Sequence, residues 1–278
     1  MIEKCPICEE HQLLNTFTLP TYKIYTCKAC LARFAHPFVN NEEIYNNNLI
    51  KAKKQYLDTM AMSDKAYDQL RPFFHVKGKK ILDIGCGTGN FLGIIKEHNE
   101  VLGLEISEAY RACLEQKEIP YIIGDLEENL RSIPDSYFDL ITLWDVFEHF
   151  DNPRKLLGLI KEKISSTGVL IIWTNNYGDC ISKFAETVYR ISFGRLSGLL
   201  QTSFNRAGGH NYNFVAKSLE QLYQKNNLKI IKSVITDTPS EKLTINLMFK
   251  IILELFYLAN QLLGKGKIIC HVLKKDEV

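Results

Sequence analysis

The chain has 278 residues, of which 46% are hydrophobic and 24% are charged, as in an ordinary globular protein. Its formal net charge of +2 is close to zero, which does not favour a dedicated nucleic-acid-binding protein. No uncharged apolar run reaches the roughly 18 residues that a membrane-spanning helix needs, and the first residues lack the apolar core of a secretory signal. We therefore expect a cytoplasmic protein with one large core and room for a small accessory module.

Four of the eight cysteines form two Cys-x-x-Cys pairs near the start of the chain. Cys5 and Cys8 form the first pair, and Cys27 and Cys30 form the second after 18 intervening residues. Pairs at this spacing can offer four thiolates to a tetrahedral zinc ion, and the alternating segments between them predict a hairpin that brings the pairs together. We predict a structural zinc ribbon over residues 1–38, with four reduced, metal-free thiols as the alternative.

The segment 79–90, Lys-Lys-Ile-Leu-Asp-Ile-Gly-Cys-Gly-Thr-Gly-Asn, predicts a buried strand, a glycine turn and the start of a helix. Gly85, Gly87 and Gly89 let a ligand approach the backbone N–H groups of the turn, and part of such a turn requires positive φ angles. The spacing differs from the Gly-x-Gly-x-x-Gly pattern that holds a pyrophosphate. Asp83, which precedes the first glycine, suits a cationic or hydroxyl-rich ligand better than a phosphate.

Two further predicted strands also end in acids. The run 101–105 ends in Glu105, which is placed to accept hydrogen bonds from two ribose hydroxyls. The run 121–126 contains Asp125, which is placed to accept a hydrogen bond from an exocyclic amine such as that of adenine. Acids at the ends of three successive strands indicate an adenosyl ligand without phosphates.

Taken in order with Leu-Trp-Asp-Val-Phe-Glu-His at 143–149, these segments resemble the motifs of class I S-adenosylmethionine-dependent methyltransferases. The resemblance covers roughly residues 70–228. It implies a Rossmann-like α/β domain over 76–278, with a seven-stranded, mostly parallel sheet, helices on both faces and helical insertions at about 177–207 and 243–263. It also implies S-adenosylmethionine (SAM) as cofactor and S-adenosylhomocysteine as product. The predicted cofactor contacts are Asp83, Gly85, Cys86, Gly87, Gly89, Glu105, Ile106, Asp125, Leu126, Trp144 and Asp145.

The N-terminal part of the chain is similar to that of a bacterial methyltransferase group linked to surface-saccharide biosynthesis. This similarity implies that 39–75 forms a helical linker or lid over the cofactor, where Tyr45 or Tyr56 lines the site or packs in the core. In that group a histidine and an aromatic residue in a loop face the acceptor, which makes His210 our first choice for a general base or an acceptor-orienting residue. His149 is the second candidate base, or else a residue that holds its loop by hydrogen bonding.

Two segments bear on the acceptor. The insertion near 177–207 is rich in basic residues, which suits a diphosphate or carboxylate on the substrate or simply a solvated helical face. The helix predicted over 245–263 has one polar stripe and a wide apolar surface, which packs in the core, against a second copy in a homodimer, or on the inner face of a membrane that carries a lipid-linked acceptor.

We therefore favour methyl transfer to a hydroxyl of a sugar or surface-glycan precursor. The alternatives are an RNA methyltransferase that holds nucleic acid through its ribbon, a lipid or quinone O-methyltransferase, and a non-enzymatic binding module. Near-neutral charge weighs against nucleic acid as a partner, and intact cofactor motifs weigh against a module without activity.

Overall fold

A computed structural model describes residues 2–39, 62–238 and 247–276. Tyr45, Tyr56 and the first residues of the helix predicted over 245–263 lie outside these ranges. The strands are β1 (Leu13–Thr18), β2 (Lys23–Cys27), β3 (Arg33–His36), β4 (Lys80–Ile84), β5 (Glu100–Glu105), β6 (Tyr121–Ile123), β7 (Phe138–Trp144), β8 (Ile164–Asn175), β9 (Tyr212–Asn213), β10 (Leu228–Thr236) and β11 (Ile268–Lys275). The helices are α1 (Asp64–Phe74), α2 (Asn90–Ile95), α3 (Arg111–Gln116), α4 (Leu126–Ser132), α5 (Pro153–Lys163), α6 (Cys180–Ile191), α7 (Gly198–Phe204), α8 (Ala216–Lys225) and α9 (Leu247–Leu262).

The larger sheet has seven strands in the order β10-β11-β8-β7-β4-β5-β6. The strands β4 to β8 run parallel to one another, and β11 is antiparallel to both β8 and β10. Central strands such as β4 and β7 are almost entirely buried, because helices cover both faces of a parallel sheet and leave no solvated side. The predicted α/β fold with a seven-stranded, mostly parallel sheet is confirmed.

The cysteine-containing segment forms a second sheet, in the order β1-β2-β3-β9. Its last strand comes from the far end of the chain, since Phe34 pairs with Tyr212 and Arg33 pairs with Asn213. The ring of Tyr212 packs on Phe34 at 6.1 Å and stacks on Phe214 at 5.5 Å between centroids. The N-terminal segment therefore shares a sheet and a hydrophobic core with the larger domain.

The helices α6 and α7 occupy the segment in which we predicted an insertion. Leu200 and Phe204 of α7 are fully buried against Phe17 and Leu19 of the N-terminal sheet. Together with an ion pair between Arg33 of β3 and α6, this packing fixes the insertion to the N-terminal segment.

The helix α9 is exposed along most of its length, and Asn260 is its one buried residue. Core packing of its apolar surface, one of the three alternatives for this segment, is therefore not observed. Among the residues that the structure describes, no helix combines the length and the apolar character needed to cross a bilayer.

The ion pair between Arg33 and Glu186 is a testable stability determinant, because both side chains are only 12% and 11% exposed. We expect Arg33→Ala to lower the free energy of unfolding by about 3 kcal/mol, since it leaves a buried carboxylate without its main partner. Lys229→Ala is the matched control, because Lys229 and Asp276 are each 50% exposed and such a pair is worth about 0–1 kcal/mol. Urea unfolding measures both; equal effects of the two substitutions would contradict the assignment.

Candidate functional site

The glycine turn after β4 leaves an open cradle at Gly87. Gly85, Gly87 and Gly89 have φ angles of 72°, 52° and 70°, which side chains adopt only with strain. A Cβ on Gly85 would stand 2.5 Å from a methyl of Val146, whereas a Cβ on Gly87 would meet no described atom within 4 Å. Gly85 is therefore required for packing, whereas the space beside Gly87 is open among the described residues.

Cys86 points away from that space. A Cβ added to Gly103 of β5 would lie 2.5 Å from the Cys86 Sγ atom, so this thiol packs into β5. Burial raises the pKa of Cys86 well above its usual value, which keeps the thiol protonated and unreactive. Its predicted contact with the cofactor stays a prediction, and the structure gives it a packing role.

Two buried acids face the turn. Glu105 accepts hydrogen bonds from the N–H groups of Gly87 (2.8 Å), Ile106 (2.9 Å) and Ser107 (3.0 Å). The Asp83 carboxylate accepts a hydrogen bond of 2.6 Å from the hydroxyl of Thr142. Burial, with a smaller contribution from the charge of Glu105, raises the pKa of Asp83 to about 7. Two buried acids without a basic partner among the described residues suit a ligand that brings positive charge.

The other predicted cofactor contacts lie around the same edge of the sheet. Asp125 is exposed and caps α4, where its Oδ1 atom accepts a hydrogen bond of 2.8 Å from the N–H of Glu128. Leu126 is buried beside it, and Ile106 is partly buried after β5. These positions agree with the predicted edge, while their contacts with a cofactor stay predictions.

Trp144 ends the central strand β7, and Asp145 follows it directly. The Trp144 ring packs on Phe91 at 5.3 Å and on Trp173 at 6.1 Å between centroids, and its buried Nε1 atom has no hydrogen-bond partner within the described ranges. Asp145 has a φ of 53°, an uncommon conformation that is concentrated at functional sites. An indole N–H without a hydrogen-bond partner among the described residues and a strained backbone residue therefore lie next to the glycine turn.

A cluster of Glu148, His149 and His210 lies beyond β7. Glu148 and His149 belong to a short 3-10 helix, Phe147–His149, and His210 lies two residues before the start of β9. The two imidazole rings meet edge to face at 4.8 Å between centroids, and Nε2 of His210 lies 3.8 Å from Oε1 of Glu148. The structure thus brings together both histidines that the sequence singled out.

Glu148 is the functional candidate that sequence reasoning missed. Its side chain is completely buried; its Oε2 atom accepts a hydrogen bond of 2.7 Å from Thr174, and its Oε1 atom has no hydrogen-bond partner among the described residues. The Glu-His dipeptide was visible in the sequence, but a carboxylate beside a histidine in one motif carries no signal that a second histidine, from another loop, lies against it.

Hydrogen bonds around His210 select one tautomer. The Nδ2 atom of Asn175 lies 2.9 Å from Nδ1 of His210 and also donates to the Tyr212 carbonyl (3.1 Å) and to Oδ1 of Asn213 (2.6 Å). These acceptors identify the nitrogen side of the Asn175 amide, so Nδ1 of His210 accepts and the proton resides on Nε2. In this tautomer Nε2 donates to the Asn205 side-chain amide, 2.9 Å away, whose oxygen must then be the accepting atom. Oε1 of Glu148 is farther from Nε2, at 3.8 Å.

Burial keeps this cluster uncharged near neutral pH. It raises the pKa of Glu148 to about 8, with a further contribution from the charge of Asp145. It lowers the pKa of His149 to about 4, although the His149 ring forms hydrogen bonds with backbone groups of Gly209 and Asp145. It also lowers the pKa of His210 well below its usual value, with His149 adding to the effect. A group that titrates near pH 8 in a buried cluster is a candidate acid or base.

Arg206, one of the basic residues of the predicted insertion, is buried. Its guanidinium donates to the carbonyl oxygens of Pro37 and His210 and to Oδ1 of Asn211. These contacts make it a bridge between the N-terminal segment and the His210 loop, and they leave it unavailable to a substrate anion.

The four N-terminal cysteines converge on one point. The Sγ atoms of Cys5 and Cys30 are 3.6 Å apart, those of Cys8 and Cys27 are 3.4 Å apart, and all four lie within 4.8 Å of one another in a buried cluster. Four sulfurs around a tetrahedral zinc ion stand about 3.8 Å apart. The thiol positions and the donor set therefore fit such an ion.

A family model described as a methyltransferase domain matches residues 57–233. The chain belongs to this family.

A protein of Haemophilus influenzae described as uncharacterized is 36% identical over 115 residues, which are 35% of this chain and 42% of that protein. The mitochondrial ubiquinone biosynthesis O-methyltransferase of Schizosaccharomyces pombe is 34% identical over 108 residues, 35% of this chain and 38% of that enzyme. A tRNA U34 carboxymethyltransferase of Pseudomonas putida is 25% identical over 43% of this chain and 40% of that enzyme. The chain thus matches about two fifths of the length of these relatives.

Solved structures share the fold. A SAM-dependent methyltransferase from Archaeoglobus fulgidus superimposes with a TM-score of 0.56 over 81% of this chain and 98% of that one, at 21% identity. Phosphoethanolamine N-methyltransferase 2 of Haemonchus contortus, in complex with SAM, gives a TM-score of 0.56 over 88% of this chain and 62% of that one, at 14% identity. At these identities the likeness concerns the fold. With the family match, it confirms the prediction of a SAM-dependent methyltransferase, while the acceptor is left open.

The role of Gly87 can be separated from backbone strain. We expect Gly87→Ala to lower the affinity for S-adenosylhomocysteine at least about tenfold, because the new methyl group enters the open cradle. Gly78→Ala is the matched control, since Gly78 has a φ of 64° and open space around its Cβ position; it should cost about the same 1 kcal/mol of stability without changing affinity. Isothermal titration calorimetry measures both, and equal affinities would refute the cradle.

Proposed function

We propose that this methyltransferase transfers the methyl group of SAM to a hydroxyl oxygen of a small-molecule acceptor. The observation that carries the proposal is the pair formed by buried Glu148 and His210, beside the edge where β7 ends. When bound, the cofactor would supply an electrophilic methyl carbon, which an acceptor oxygen can attack in line with the departing sulfur. Holding the reactants for such a step is worth roughly 7–11 kcal/mol.

The residues that would hold the cofactor lie at the ends of β4, β5 and β6. Gly87 would let it approach the backbone, and Asp83 would meet its positive charge. Glu105 accepts from the ribose hydroxyls in exchange for its present bond to the N–H of Gly87, and Asp125 accepts from the adenine amine with the oxygen that does not cap α4. Trp144 and Asp145 close the edge next to the methyl group.

On the acceptor side, His210 orients the hydroxyl and Glu148 takes its proton. His210 holds its proton on Nε2, beside the Asn205 amide. In this tautomer it would donate that hydrogen bond to the acceptor oxygen in place of Asn205, and it cannot accept at that atom. Glu148 is the neighbouring group that gains a proton most readily, because its pKa is raised to about 8. As the new carbon–oxygen bond forms and the carbon–sulfur bond breaks, the hydroxyl proton passes to the Glu148 carboxylate. The contacts of His149 with backbone groups of Gly209 and Asp145 support a positioning role.

The reaction rate should therefore depend on the ionisation of Glu148. We expect kcat/KM to rise as the pH increases through about 8, because the carboxylate form is the base. Glu148→Gln should remove this rise and lower kcat about 10²–10⁴-fold, while the exposed Glu97→Gln serves as control. A pH profile of product formation decides the matter, and an unchanged profile in Glu148→Gln would rule out this base.

The acceptor class that we favour is a sugar or surface-glycan precursor, in free, diphosphate-linked or lipid-linked form. A lipid or quinone hydroxyl is the second candidate, supported by the similarity to the ubiquinone biosynthesis O-methyltransferase. RNA is less favoured, because the net charge is +2, although tRNA-modifying enzymes are among the relatives.

Methyl transfer from labelled SAM to three panels separates these classes: nucleotide-linked sugars, catechols and quinols, and tRNA. The proposal expects label in an O-methyl group of the first or second panel. Label in tRNA alone, or in a nitrogen or carbon of a small molecule, would overturn it.

We also propose that Cys5, Cys8, Cys27 and Cys30 hold a structural zinc ion, whose bonds supply folding energy to the N-terminal segment.

We expect about one zinc per chain by elemental analysis. Cys27→Ser should lose the metal and lower the melting temperature, but keep affinity for S-adenosylhomocysteine, because the cradle is built from β4 and β5. Cys113, which lies outside the cluster, gives the control Cys113→Ser. Absence of zinc, with equal melting temperatures for the two variants, would contradict the site.

A further inference from the structure

The turn between α6 and α7 exposes a concentration of apolar side chains. Phe193 is 93% exposed, Ile191 74%, Leu196 61% and Leu199 50%. Single exposed apolar residues are common, but four within nine residues form a patch that requires a physical reason. This turn, residues 190–199, is called the apolar tip below.

The apolar tip is held on a rigid support. One side of α7 packs Leu200 and Phe204 into the N-terminal sheet, and α6 is tied to that sheet because the Tyr189 hydroxyl donates to the Thr18 carbonyl at 2.7 Å. The outward-facing residues of the apolar tip are therefore fixed in position. They are presented to the solvent by two anchored helices.

The exposed helix α9 extends this surface. Phe256 of α9 packs on Phe184 of α6 at 5.5 Å between ring centroids, which joins α9 to the helix that leads into the apolar tip. Its exposed apolar residues include Leu247, Met248, Ile251, Leu255 and Leu262, each more than half exposed. The combined surface is much larger than one loop.

The charges beside the apolar tip are all positive. Lys183, Arg190 and Arg195 are exposed, and the sequence contains no Asp or Glu from residue 187 to residue 219. The acid of α6, Glu186, is buried and paired with both Arg33 and Lys183, which leaves Arg190 and Arg195 as the exposed charges that this acid does not neutralise. On α9, Lys250 and Glu254 cancel each other.

This combination of charge and apolar area discriminates between possible occupants. In a symmetric dimer the same patch meets itself, so that Arg190 and Arg195 of one copy would approach those of the other. An anionic bilayer offers negative headgroups for the arginines and an acyl boundary for Phe193 and Leu196, which is the arrangement of interfacial membrane-binding segments.

We propose that the apolar tip, together with α9, docks this protein on an anionic lipid surface. The tip enters the headgroup region with its phenylalanine and leucines, and the arginines bind lipid phosphates around it. This docking involves none of the residues of the cofactor cradle, so it stands or falls independently of the proposed reaction.

Sedimentation with vesicles tests the proposal on the full chain. The probes are vesicles of phosphatidylcholine alone and of phosphatidylcholine with phosphatidylglycerol. We expect binding to the second kind and its loss at high salt. The double variant Arg190→Gln/Arg195→Gln should weaken the partition coefficient about 30-fold, and Phe193→Ser/Leu196→Ser should also reduce it strongly.

Ile94→Ser is the matched control, because Ile94 is an isolated apolar residue of α2 that is 57% exposed; it should bind vesicles like the unchanged protein. Affinity for S-adenosylhomocysteine should be equal in all variants, which shows that they are folded. Failure to bind anionic vesicles, or equal binding to both kinds, would overturn the proposal. The proposal would also be overturned if the protein does not bind vesicles and light scattering shows a dimer that the Phe193→Ser/Leu196→Ser variant dissociates.

Discussion

The pairing of β3 with β9 is the contact on which the position of the His210 loop depends. It places the loop that carries His210 at the edge of the cysteine-containing sheet, and the N–H of Ala35 continues the pairing by donating to the Asn211 carbonyl at 2.9 Å. The Asn211 amide is fully buried; it donates to the His149 carbonyl at 2.8 Å and accepts from the N–H of Val39 at 3.0 Å. One side chain thus links the N-terminal segment to both histidine loops.

This arrangement explains how two loops from distant parts of the sequence meet at hydrogen-bonding distance. A loop held only by its own ends would leave the position of the His210 side chain uncertain by several ångströms. Chemistry at a bound methyl group needs the reacting groups to be positioned to a fraction of that distance. The N-terminal segment, which carries its own cysteine cluster, therefore also holds the loop of the proposed acceptor site.

The second constraint is electrostatic. Asp83, Glu105 and Glu148 are all buried, and burial raises the pKa of each one. Buried acids cost stability unless a positive partner is present. Their concentration along one edge of the sheet lowers the stability of the fold, as expected where a site binds a cationic ligand. The large apolar core offsets this loss of stability.

Local sequence patterns predicted the larger sheet well. Apolar runs such as Ile81–Ile84, glycines at φ-sensitive positions and acids at strand ends follow from rules that act over a few residues, so β4, β5 and their turn could be located from the sequence. Patterns of that range could not predict that β9, a strand of two residues, pairs with β3, because the partner lies about 180 residues away.

The same limit applies to the site and to the surface. The sequence singled out His149 and His210 separately, but the proximity of Glu148 to His210 arises only when two loops are folded onto each other. The amphipathic character of α9 follows from the sequence, whereas the exposure of most of its length among the described residues depends on the packing of its neighbours. Cofactor contacts and the metal stay proposals that their own measurements decide.

Hydrogen exchange of the full chain, with and without a zinc chelator, tests the central claim most directly. If the N-terminal sheet holds the acceptor loop, the backbone N–H groups of Ala35 and Asn211 will lose protection from exchange together when the chelator is added. The backbone N–H groups of β4 will stay protected. If the Asn211 amide keeps its protection while the cysteine-containing sheet opens, the acceptor loop does not depend on that sheet, and the account is wrong.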